Sequence, residues 1–258
     1  MVSSVLRLQT DGPRANVTLC RPEVHNALNA ALLDAIAAAF REVATRHDVR
    51  YVVLTGDGPS FCAGADVPWM RASLHASAEE NRADAARLIA ALGAITTCPK
   101  PVIAQVNGAA MGGGVGLVAA CDLAVAVPAA VFGLTEVRLG LVPAMIFPFL
   151  LQKVAPHHLR WAALTGDRFP AQRALEMGLV NQVADDVAAV IDRWADSLLA
   201  AGPHAAAGVK ELFRAIPHLS PDAARTYAVE LSAGVRAGQE AQEGTLAFLE
   251  RRKPSWNP

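Results

Sequence analysis

The sequence predicts an α/β protein, with a layered core of strands and helices followed by a helical C-terminal region. The first observation is that short apolar runs, at 51–55, 102–106 and 123–127, alternate with segments of helical periodicity. The second is that the pattern becomes mainly helical beyond Pro143. Alternating strands and helices are typical of a sheet covered by helices, so we expect one large core to carry the functional site.

The N-terminal part predicts a hairpin, a helix and a buried strand, in that order. Residues 5–9 and 16–20 are strand-like and are separated by an Asp-Gly-Pro turn. From Asn29 onward, apolar residues recur every three or four positions, which predicts an amphipathic helix that ends near His47. The apolar run 51–55 is closed by Gly-Asp-Gly-Pro and therefore predicts a buried strand.

The middle of the chain predicts a mobile segment and then a strand–turn–helix–strand unit. Residues 71–93 are rich in charge and have few large apolar side chains before Leu88, so we expect a mobile segment that leads into a helix. A Lys-Pro pair then introduces the run 102–106, which predicts a buried strand. A glycine-rich turn, a helix that reaches Ala120 and a strand at 123–127 complete the unit.

The last third of the chain is helical in pattern. Four prolines stand where helices can begin, because the first helical position tolerates the missing N–H: Pro156, Pro170, Pro203 and Pro221. We assign residues 1–200 to the α/β core and residues 201–258 to a helical region that packs on the core or on a neighbouring subunit.

Composition excludes several classes of protein. Hydrophobic residues make up 53% of the 258 positions, which is ample for a buried core, and a formal net charge of −1 argues against nucleic-acid binding. The apolar stretch 102–127 is interrupted by Gln105, Asn107 and Asp122, so a membrane span is not expected. The four cysteines show no CxxC or zinc spacing, and no signal peptide is evident. We expect a cytoplasmic protein without a metal site.

Two of the segments that stand out carry small residues where a backbone could approach a ligand. Residues 61–66, Phe-Cys-Ala-Gly-Ala-Asp, flank Gly64 with alanines, and no Cβ obstructs the approach at that glycine. Residues 107–116 hold a glycine cluster at a predicted helix start, where unpaired N–H groups and the helix dipole favour an anion. Tight strand–helix packing would also require small residues. The cluster does not fit GxGxxG, because Leu117 stands at the last glycine position.

Two further segments carry polar groups. Residues 21–29, Arg-Pro-Glu-Val-His-Asn-Ala-Leu-Asn, taken alone are typical of a strand end, a turn and a helix N-cap. In residues 132–143, Glu136 stands among apolar residues, which would raise its pKa and suit it to proton transfer. Alternatively, Glu136 is a surface residue that pairs with Arg138 or caps a helix.

The order of these segments resembles the enoyl-CoA hydratase/isomerase (crotonase) superfamily. The resemblance covers nearly the whole chain and rests on RPEVHNALN, CAGAD, PKPVIAQVNGAAMGGG, FGLTEVRLGLVP, LTGDRFPAQRALEMGLV and FLERRKP. It implies a spiral of β-turn-β-α units with a C-terminal helical region that forms trimers, often as dimers of trimers. It also implies an acyl-CoA thioester substrate and no separate cofactor, because coenzyme A is part of the substrate.

The resemblance also implies roles for individual residues. The backbone N–H groups of Ala65 and Gly113 would form an oxyanion hole, and Glu136 would exchange the proton. Asp66 would brace its loop, while Arg251 and Lys253 would meet coenzyme phosphates, unless they are only a solvated basic tail. The implied substrate-binding set is His25, Ala27, Ala63, Asp66, Trp69, Gly112, Gly116, Arg251 and Lys253.

One position departs from the pattern. Hydratases of this family usually carry a second glutamate three residues beyond the middle glycine, and this chain has Gly116 there. A single glutamate could hydrate a double bond alone, could shift it along the chain, or could work beside a substrate carboxylate for which the missing side chain makes room. We expect Gly116→Glu to alter substrate preference.

Segments 115–117 (VGL) and 132–144 (FGLTEVRLGLVPA) are similar in sequence to bacterial hydratases that act on branched, carboxylated thioesters such as 3-methylglutaconyl-CoA, in leucine and isoprenoid breakdown. We therefore expect an enoyl-CoA hydratase. The alternatives are a Δ3,Δ2-enoyl-CoA isomerase and a non-catalytic acyl-CoA-binding protein.

Overall fold

A computed structural model describes residues 4–257 as two β-sheets surrounded by helices. The strands are β1 (Leu6–Asp11), β2 (Arg14–Leu19), β3 (Tyr51–Gly56), β4 (Ser60–Cys62), β5 (Val102–Val106), β6 (Ala109–Met111), β7 (Leu123–Ala126), β8 (Val131–Gly133), β9 (Arg168–Pro170) and β10 (Gln182–Val183). The helices are α1 (Ala30–Thr45), α2 (Val67–Ser73), α3 (Ala78–Thr97), α4 (Gly113–Ala120), α5 (Phe147–Leu150), α6 (Pro156–Thr165), α7 (Ala171–Glu176), α8 (Val187–Ala200), α9 (Pro203–Ala215), α10 (Pro221–Ala237) and α11 (Gln239–Leu249).

The two sheets are linked by repeating units. The larger sheet has the order β1-β2-β3-β5-β7-β10, with only the β1–β2 pair antiparallel. The smaller sheet has the order β4-β6-β8-β9. Each of the pairs β3–β4, β5–β6 and β7–β8 places its first strand in the larger sheet and its second strand in the smaller one. The predicted spiral of β-turn-β-α units is therefore confirmed.

The N-terminal predictions are confirmed with small shifts in their bounds. The hairpin is β1–β2, and the predicted helix is α1, which is capped by the Asn29 side chain accepting the Leu32 N–H at 2.9 Å. The buried face of α1 carries the predicted apolar stripe, which includes Ile36, Phe40 and Val43. Helix α1 packs against α3 and against the β1–β2 hairpin.

Residues 71–93 lead into a helix as predicted, but α2 and α3 already occupy most of the segment. Helix α3 begins with a capping box, in which the Ser77 hydroxyl accepts the Glu80 N–H and the Glu80 carboxylate accepts the Ser77 N–H. Its charged first half is exposed, and burial begins only at Leu88. The pattern was misleading because the apolar stripe occupies only the second half of the helix.

The C-terminal helices begin where the prolines predict. Helices α6, α9 and α10 start at a proline, and Pro170 immediately precedes α7. The Arg50 guanidinium donates to the carbonyls of Ala201 at 2.7 Å and Trp256 at 3.0 Å, which ties the chain's end to the start of β3. No helix within residues 4–257 combines the length and hydrophobicity needed to cross a bilayer. The division at residue 200 stays a prediction.

Candidate active site

A cavity of about 470 Å³ lies beyond the carboxyl ends of β4 and β6, beneath α2 and α3. Its lining is mostly apolar and comes from segments far apart in the sequence: Leu28, Leu33, Ala63, Gly64, Ala65, Trp69, Met70, Ser73, Asn81, Asp84, Ala85, Leu88, Met111, Gly112, Gly113, Thr135, Glu136, Leu139, Leu141, Val142, Pro143, Ala144, Met145 and Ile146. An apolar cavity with few polar groups is the usual form of a small-molecule site.

The loop after β4 is held against the start of α1 by backbone hydrogen bonds. The Leu28 N–H donates to the Gly64 carbonyl at 2.7 Å, and the Asp66 N–H donates to the Leu28 carbonyl at 2.9 Å. Gly64 has φ +91°, and a Cβ atom there would lie 2.9 Å from the Met111 carbonyl oxygen. Glycine is required at that position, and Ala65 is thereby placed at the cavity wall.

Two backbone N–H groups at the cavity have no acceptor among residues 4–257. The first belongs to Ala65, between the two hydrogen bonds that fix its loop. The second belongs to Gly113, the first residue of α4, whose N–H has no partner within the helix. Gly112 has φ +48°, and its N–H donates to the Gly133 carbonyl at 2.9 Å. Both free N–H groups belong to residues that line the cavity.

A buried polar cluster supports this loop, and sequence reasoning did not predict it. The Arg21 guanidinium forms an ion pair with Asp66 at 2.6 Å and donates to the Ala27 carbonyl at 2.5 Å. Asn26 is fully buried; its amide donates to the carbonyls of Asp57 and Ser60, both at 2.8 Å. The polar residues of RPEVHNALN were the only signal for such a cluster in the sequence. The groups that Arg21 and Asn26 bind on Asp57, Ser60 and Asp66 lie 31 to 45 positions further along the chain.

Glu136 lines the cavity, and its carboxyl accepts a hydrogen bond from its own backbone N–H. It lies in a 3-10 turn, Thr135–Leu139, and its Oε1 would lie 3.0 Å from a Cβ atom on Gly112. Its Oε2 is buried and accepts no hydrogen bond from any described residue. Burial raises the pKa of the Glu136 carboxyl above its usual value. The sequence expectation of a raised pKa is confirmed in direction.

The alternative interpretation of Glu136 as a partner of Arg138 is wrong. The Arg138 guanidinium forms an ion pair with Asp167 and donates to the Thr165 carbonyl at 3.2 Å. Glu136 caps no helix either, because Leu134 holds the N-cap position of its turn. The carboxylate is therefore free to act on a molecule in the cavity.

The space that a side chain at position 116 would need is already occupied. A Cβ atom on Gly116 would lie 2.4 Å from Ile146 Cγ2 and 3.0 Å from Ile146 Cβ. Ile146 therefore packs where a side chain at position 116 would begin, and the alternative of a substrate carboxylate beside Glu136 stays a prediction. Gly116 itself is buried and does not line the cavity.

The other predicted residues divide into two groups. Six line the cavity together: Ala63, Ala65, Trp69, Gly112, Gly113 and Glu136. The Trp69 indole N–H donates to the Asp84 carboxylate at 2.7 Å, which pins α2 to α3. His25, Ala27 and Asp66 stand outside the lining; the Asp66 carboxylate faces Arg21, in keeping with a bracing role. Coenzyme binding by His25 and Ala27 stays a prediction.

Arg251 and Lys253 do not line this cavity. Both are exposed, and the segment that follows them is bound through the Trp256 carbonyl by Arg50, at the amino end of β3. A coenzyme contact from these two residues stays a prediction.

Comparison with known proteins places the chain in a family. The sequence profile described as "Enoyl-CoA hydratase/isomerase" matches residues 13–258. The chain belongs to the enoyl-CoA hydratase/isomerase family. The match begins after β1 and spans the other strands of both sheets, together with the helical C-terminal part.

Individual relatives agree with this membership over most of their length. The chain is 36% identical over 245 residues to "Enoyl-CoA hydratase AKT6-1" of Alternaria alternata, covering 92% of this chain and 78% of that protein. It is 34% identical to "Carnitinyl-CoA dehydratase" of Proteus mirabilis (strain HI4320), covering 99% of both chains. The crystal structure of an enoyl-CoA hydratase from Shewanella pealeana superposes with a TM-score of 0.94, at 34% identity, over 98% of this chain and 96% of that one. The predicted crotonase-like α/β fold is thus confirmed.

Proposed function

We propose that the chain is an enoyl-CoA hydratase, which adds water across the 2,3 double bond of an acyl-CoA thioester. The observation that carries this proposal is that the backbone N–H groups of Ala65 and Gly113, which have no acceptor among the described residues, share an apolar cavity with Glu136, whose buried Oε2 accepts no hydrogen bond from them either. The names of relatives support a hydratase over other activities of the family.

The N–H groups of Ala65 and Gly113 bind the thioester carbonyl oxygen in this proposal. When water adds to C3, negative charge moves onto that oxygen and an enolate forms. Each N–H aimed at the developing charge stabilises the transition state by roughly 3–4 kcal/mol. Gly113 is also the first residue of α4, so the helix dipole acts in the same direction.

Glu136 carries the proton. The carboxylate accepts a proton from water as the hydroxide adds to C3, and the protonated carboxyl then donates that proton to C2 of the enolate. All atoms of water end on the product, and Glu136 returns to its carboxylate form. The raised pKa of the Glu136 carboxyl lies closer to neutral pH than the usual value. A carboxyl group whose pKa is closer to the working pH both accepts and donates the proton more readily. One carboxylate suffices for this cycle.

The acyl group is the finer part of the proposal. The sequence similarity of segment 132–143 to other hydratases favours a branched thioester. 3-Methylglutaconyl-CoA is a carboxylated example of this class, and 3-methylcrotonyl-CoA is its neutral counterpart. Coenzyme A enters as part of the substrate, and the proposed cycle uses only the thioester and water.

The test is a panel of thioesters followed by ultraviolet absorbance. Crotonyl-CoA, 3-methylcrotonyl-CoA and 3-methylglutaconyl-CoA lose their conjugated absorbance on hydration, so we expect a decrease with at least one of them. A 3-enoyl-CoA that gains absorbance, with no decrease for any 2-enoyl thioester, would establish the isomerase instead. Binding of the whole panel without turnover would establish a non-catalytic acyl-CoA-binding protein.

A further inference from the structure

The direction of the Ala65 N–H is set by the peptide group that it shares with the Gly64 carbonyl. That carbonyl accepts the Leu28 N–H at 2.7 Å. The carbonyl and the N–H of one planar trans peptide group point in opposite directions, and the described residues contain no cis peptide bond. The Ala65 N–H therefore points away from Leu28, and a shift of the Leu28 backbone would turn it.

The segment before α1 pairs with the loop after β4 in the manner of two parallel strands. The Ala63 N–H donates to the His25 carbonyl at 2.9 Å, and Leu28 forms a parallel bridge with Ala65. The place of Ala65 in the cavity wall therefore depends on where residues 25–28 lie.

Residues 25–28 begin with an uncommon backbone conformation. His25 and Asn26 are consecutive residues with positive φ angles, 54° and 56°. The left-handed region is disfavoured for every residue except glycine, although asparagine enters it more readily than most. Such a conformation persists only where the surrounding contacts hold it, so this segment needs an anchor.

The Asn26 side chain supplies that anchor. It is fully buried, and its Oδ1 accepts the Arg21 N–H at 2.9 Å. Its Nδ2 donates to the carbonyls of Asp57 and Ser60, both at 2.8 Å, so both amide hydrogens are used. Because Ser60 is the first residue of β4, the amide fixes the segment before α1 to the strand that leads to Ala65.

We propose that Asn26 is a positioning residue, whose amide holds residues 25–28 in place so that the Ala65 N–H points at the thioester carbonyl oxygen. Asn26 does not line the cavity and acts only through the backbone of Leu28 and Gly64. This inference rests on the proposed function, because it takes the Ala65 N–H as a donor to the thioester. A misdirected N–H loses most of its effect in the transition state, where the charge on the oxygen is greatest.

The experiment measures the carbonyl stretching band of bound butyryl-CoA by infrared difference spectroscopy. This thioester is saturated and cannot be hydrated, and ¹³C at its carbonyl separates the band from those of the protein. Hydrogen bonds to a carbonyl oxygen lower its stretching frequency, so the band reports how well the N–H groups are aimed. We expect the band to move to lower frequency when butyryl-CoA binds to the wild-type protein.

The test variant is Asn26→Gly, because glycine adopts the positive φ angle without strain and only the amide is lost. We expect it to lose most of the band shift. With the best thioester of the panel, kcat should fall about 10- to 100-fold, as for a small misplacement of a catalytic group. The dissociation constant of butyryl-CoA should stay close to the wild-type value, since the rest of the thioester keeps its contacts.

The control variant is Asn181→Ala. The Asn181 Oδ1 accepts the Ala124 N–H at 2.8 Å, so this change also removes a hydrogen bond from an asparagine side chain to the backbone, but outside the cavity lining. It should keep the wild-type band and the wild-type kcat. If Asn26→Gly does not fold, Asn26→Ser takes its place; its hydroxyl can donate to one of the two carbonyls, so we expect an intermediate shift.

The outcomes separate the inference from the proposed function. A wild-type band and a wild-type kcat in the folded Asn26 variant, or an equal loss of shift in Asn181→Ala, would overturn the positioning role and leave the hydratase proposal intact. A wild-type protein whose bound butyryl-CoA shows no band shift, and which hydrates no thioester of the panel, would overturn the proposed function itself. Loss of shift and of kcat confined to the Asn26 variant supports the inference.

Discussion

The buried environment of Glu136 suits it to proton transfer but lowers the stability of the folded protein. Its Oε2 is buried without a hydrogen bond from any described residue, and burial raises the pKa of the carboxyl. A carboxyl whose pKa is raised in the folded state prefers to be protonated there. The ionised form therefore destabilises the fold once the pH exceeds the folded-state pKa. Proton carriers in enzymes commonly occupy such sites, because incomplete solvation raises the pKa of a carboxyl group.

The first prediction concerns stability as a function of pH. Glu136→Gln removes the ionisable group, so the melting temperature of the variant relative to wild type should be higher at about pH 8 than at low pH. The advantage should vanish as the pH falls toward 4.5, the usual value for a glutamate, because the wild-type carboxyl is then protonated. Scanning calorimetry across this range measures the difference. A difference that does not change with pH would show that the Glu136 carboxyl is not destabilised by burial.

For single residues, the sequence predicted the apolar environment of Glu136 but not the contact of Ile146 with Gly116. Glu136 stands among apolar neighbours in its own segment, so its environment is a local property of the sequence. The contact between Ile146 and Gly116 joins residues 30 positions apart and depends on how the segment before α5 packs on α4. No local pattern carries that information.

At the scale of the elements, the loop of residues 63–66, which carries the N–H group of Ala65 proposed for oxyanion binding, is held on two sides. The loop is fixed on one side by the Leu28 backbone and on the other by the Arg21–Asp66 ion pair, whose side chains are 14% and 4% exposed. Removing either member of so deeply buried a pair destabilises the fold strongly, because the remaining charge is left buried and unpaired. Removing one member of a more exposed pair such as Arg46–Asp48 changes stability little, because water solvates the remaining charge.

The second prediction compares these two ion pairs. Asp66→Ala should lower the free energy of unfolding by about 3–5 kcal/mol, because it leaves the Arg21 guanidinium buried and unpaired. Asp48→Ala, the control, should change it by about 1 kcal/mol or less. Urea titrations of both variants measure the effect. Equal, small changes would mean that the Arg21–Asp66 pair does not brace the loop.

The sequence predicted long elements better than short ones. Helix α1 and strands β3 and β5 carry enough apolar residues to show a period, and they lie where the pattern places them. Strands β6 and β9 have three residues each, which is too few for any period to appear. Local periodicity therefore did not predict the second sheet, which positions the loop before Ala65 and the turn before Gly113; only the family resemblance implied it.

At the scale of the whole molecule, the C-terminal helices expose large apolar side chains. Phe213, Val229, Phe248 and Leu249 are each more than 60% exposed, on α9, α10 and α11. Exposed apolar side chains clustered on neighbouring helices usually mark an interface. The sequence resemblance implies a trimer or a dimer of trimers, and this surface is where we expect the subunits to meet.

The third prediction tests that expectation. The wild-type protein should have the mass of three or six chains in light scattering. The double substitution Phe248→Glu and Leu249→Glu should reduce the mass, because it introduces charge into the proposed contact. Asp48→Ala again serves as the control and should keep the wild-type mass. A monomeric wild-type protein at micromolar concentration would contradict the expectation.

The central claim is that Glu136 moves the proton in a site whose thioester binding depends on backbone N–H groups. The most direct measurement is the turnover of Glu136→Gln with the best thioester of the panel, together with its affinity for the corresponding saturated thioester. We predict a fall in kcat of about 10²–10⁴-fold with nearly unchanged affinity, while the exposed substitution Glu79→Gln leaves both at wild-type values. Near-normal turnover in Glu136→Gln would contradict the claim.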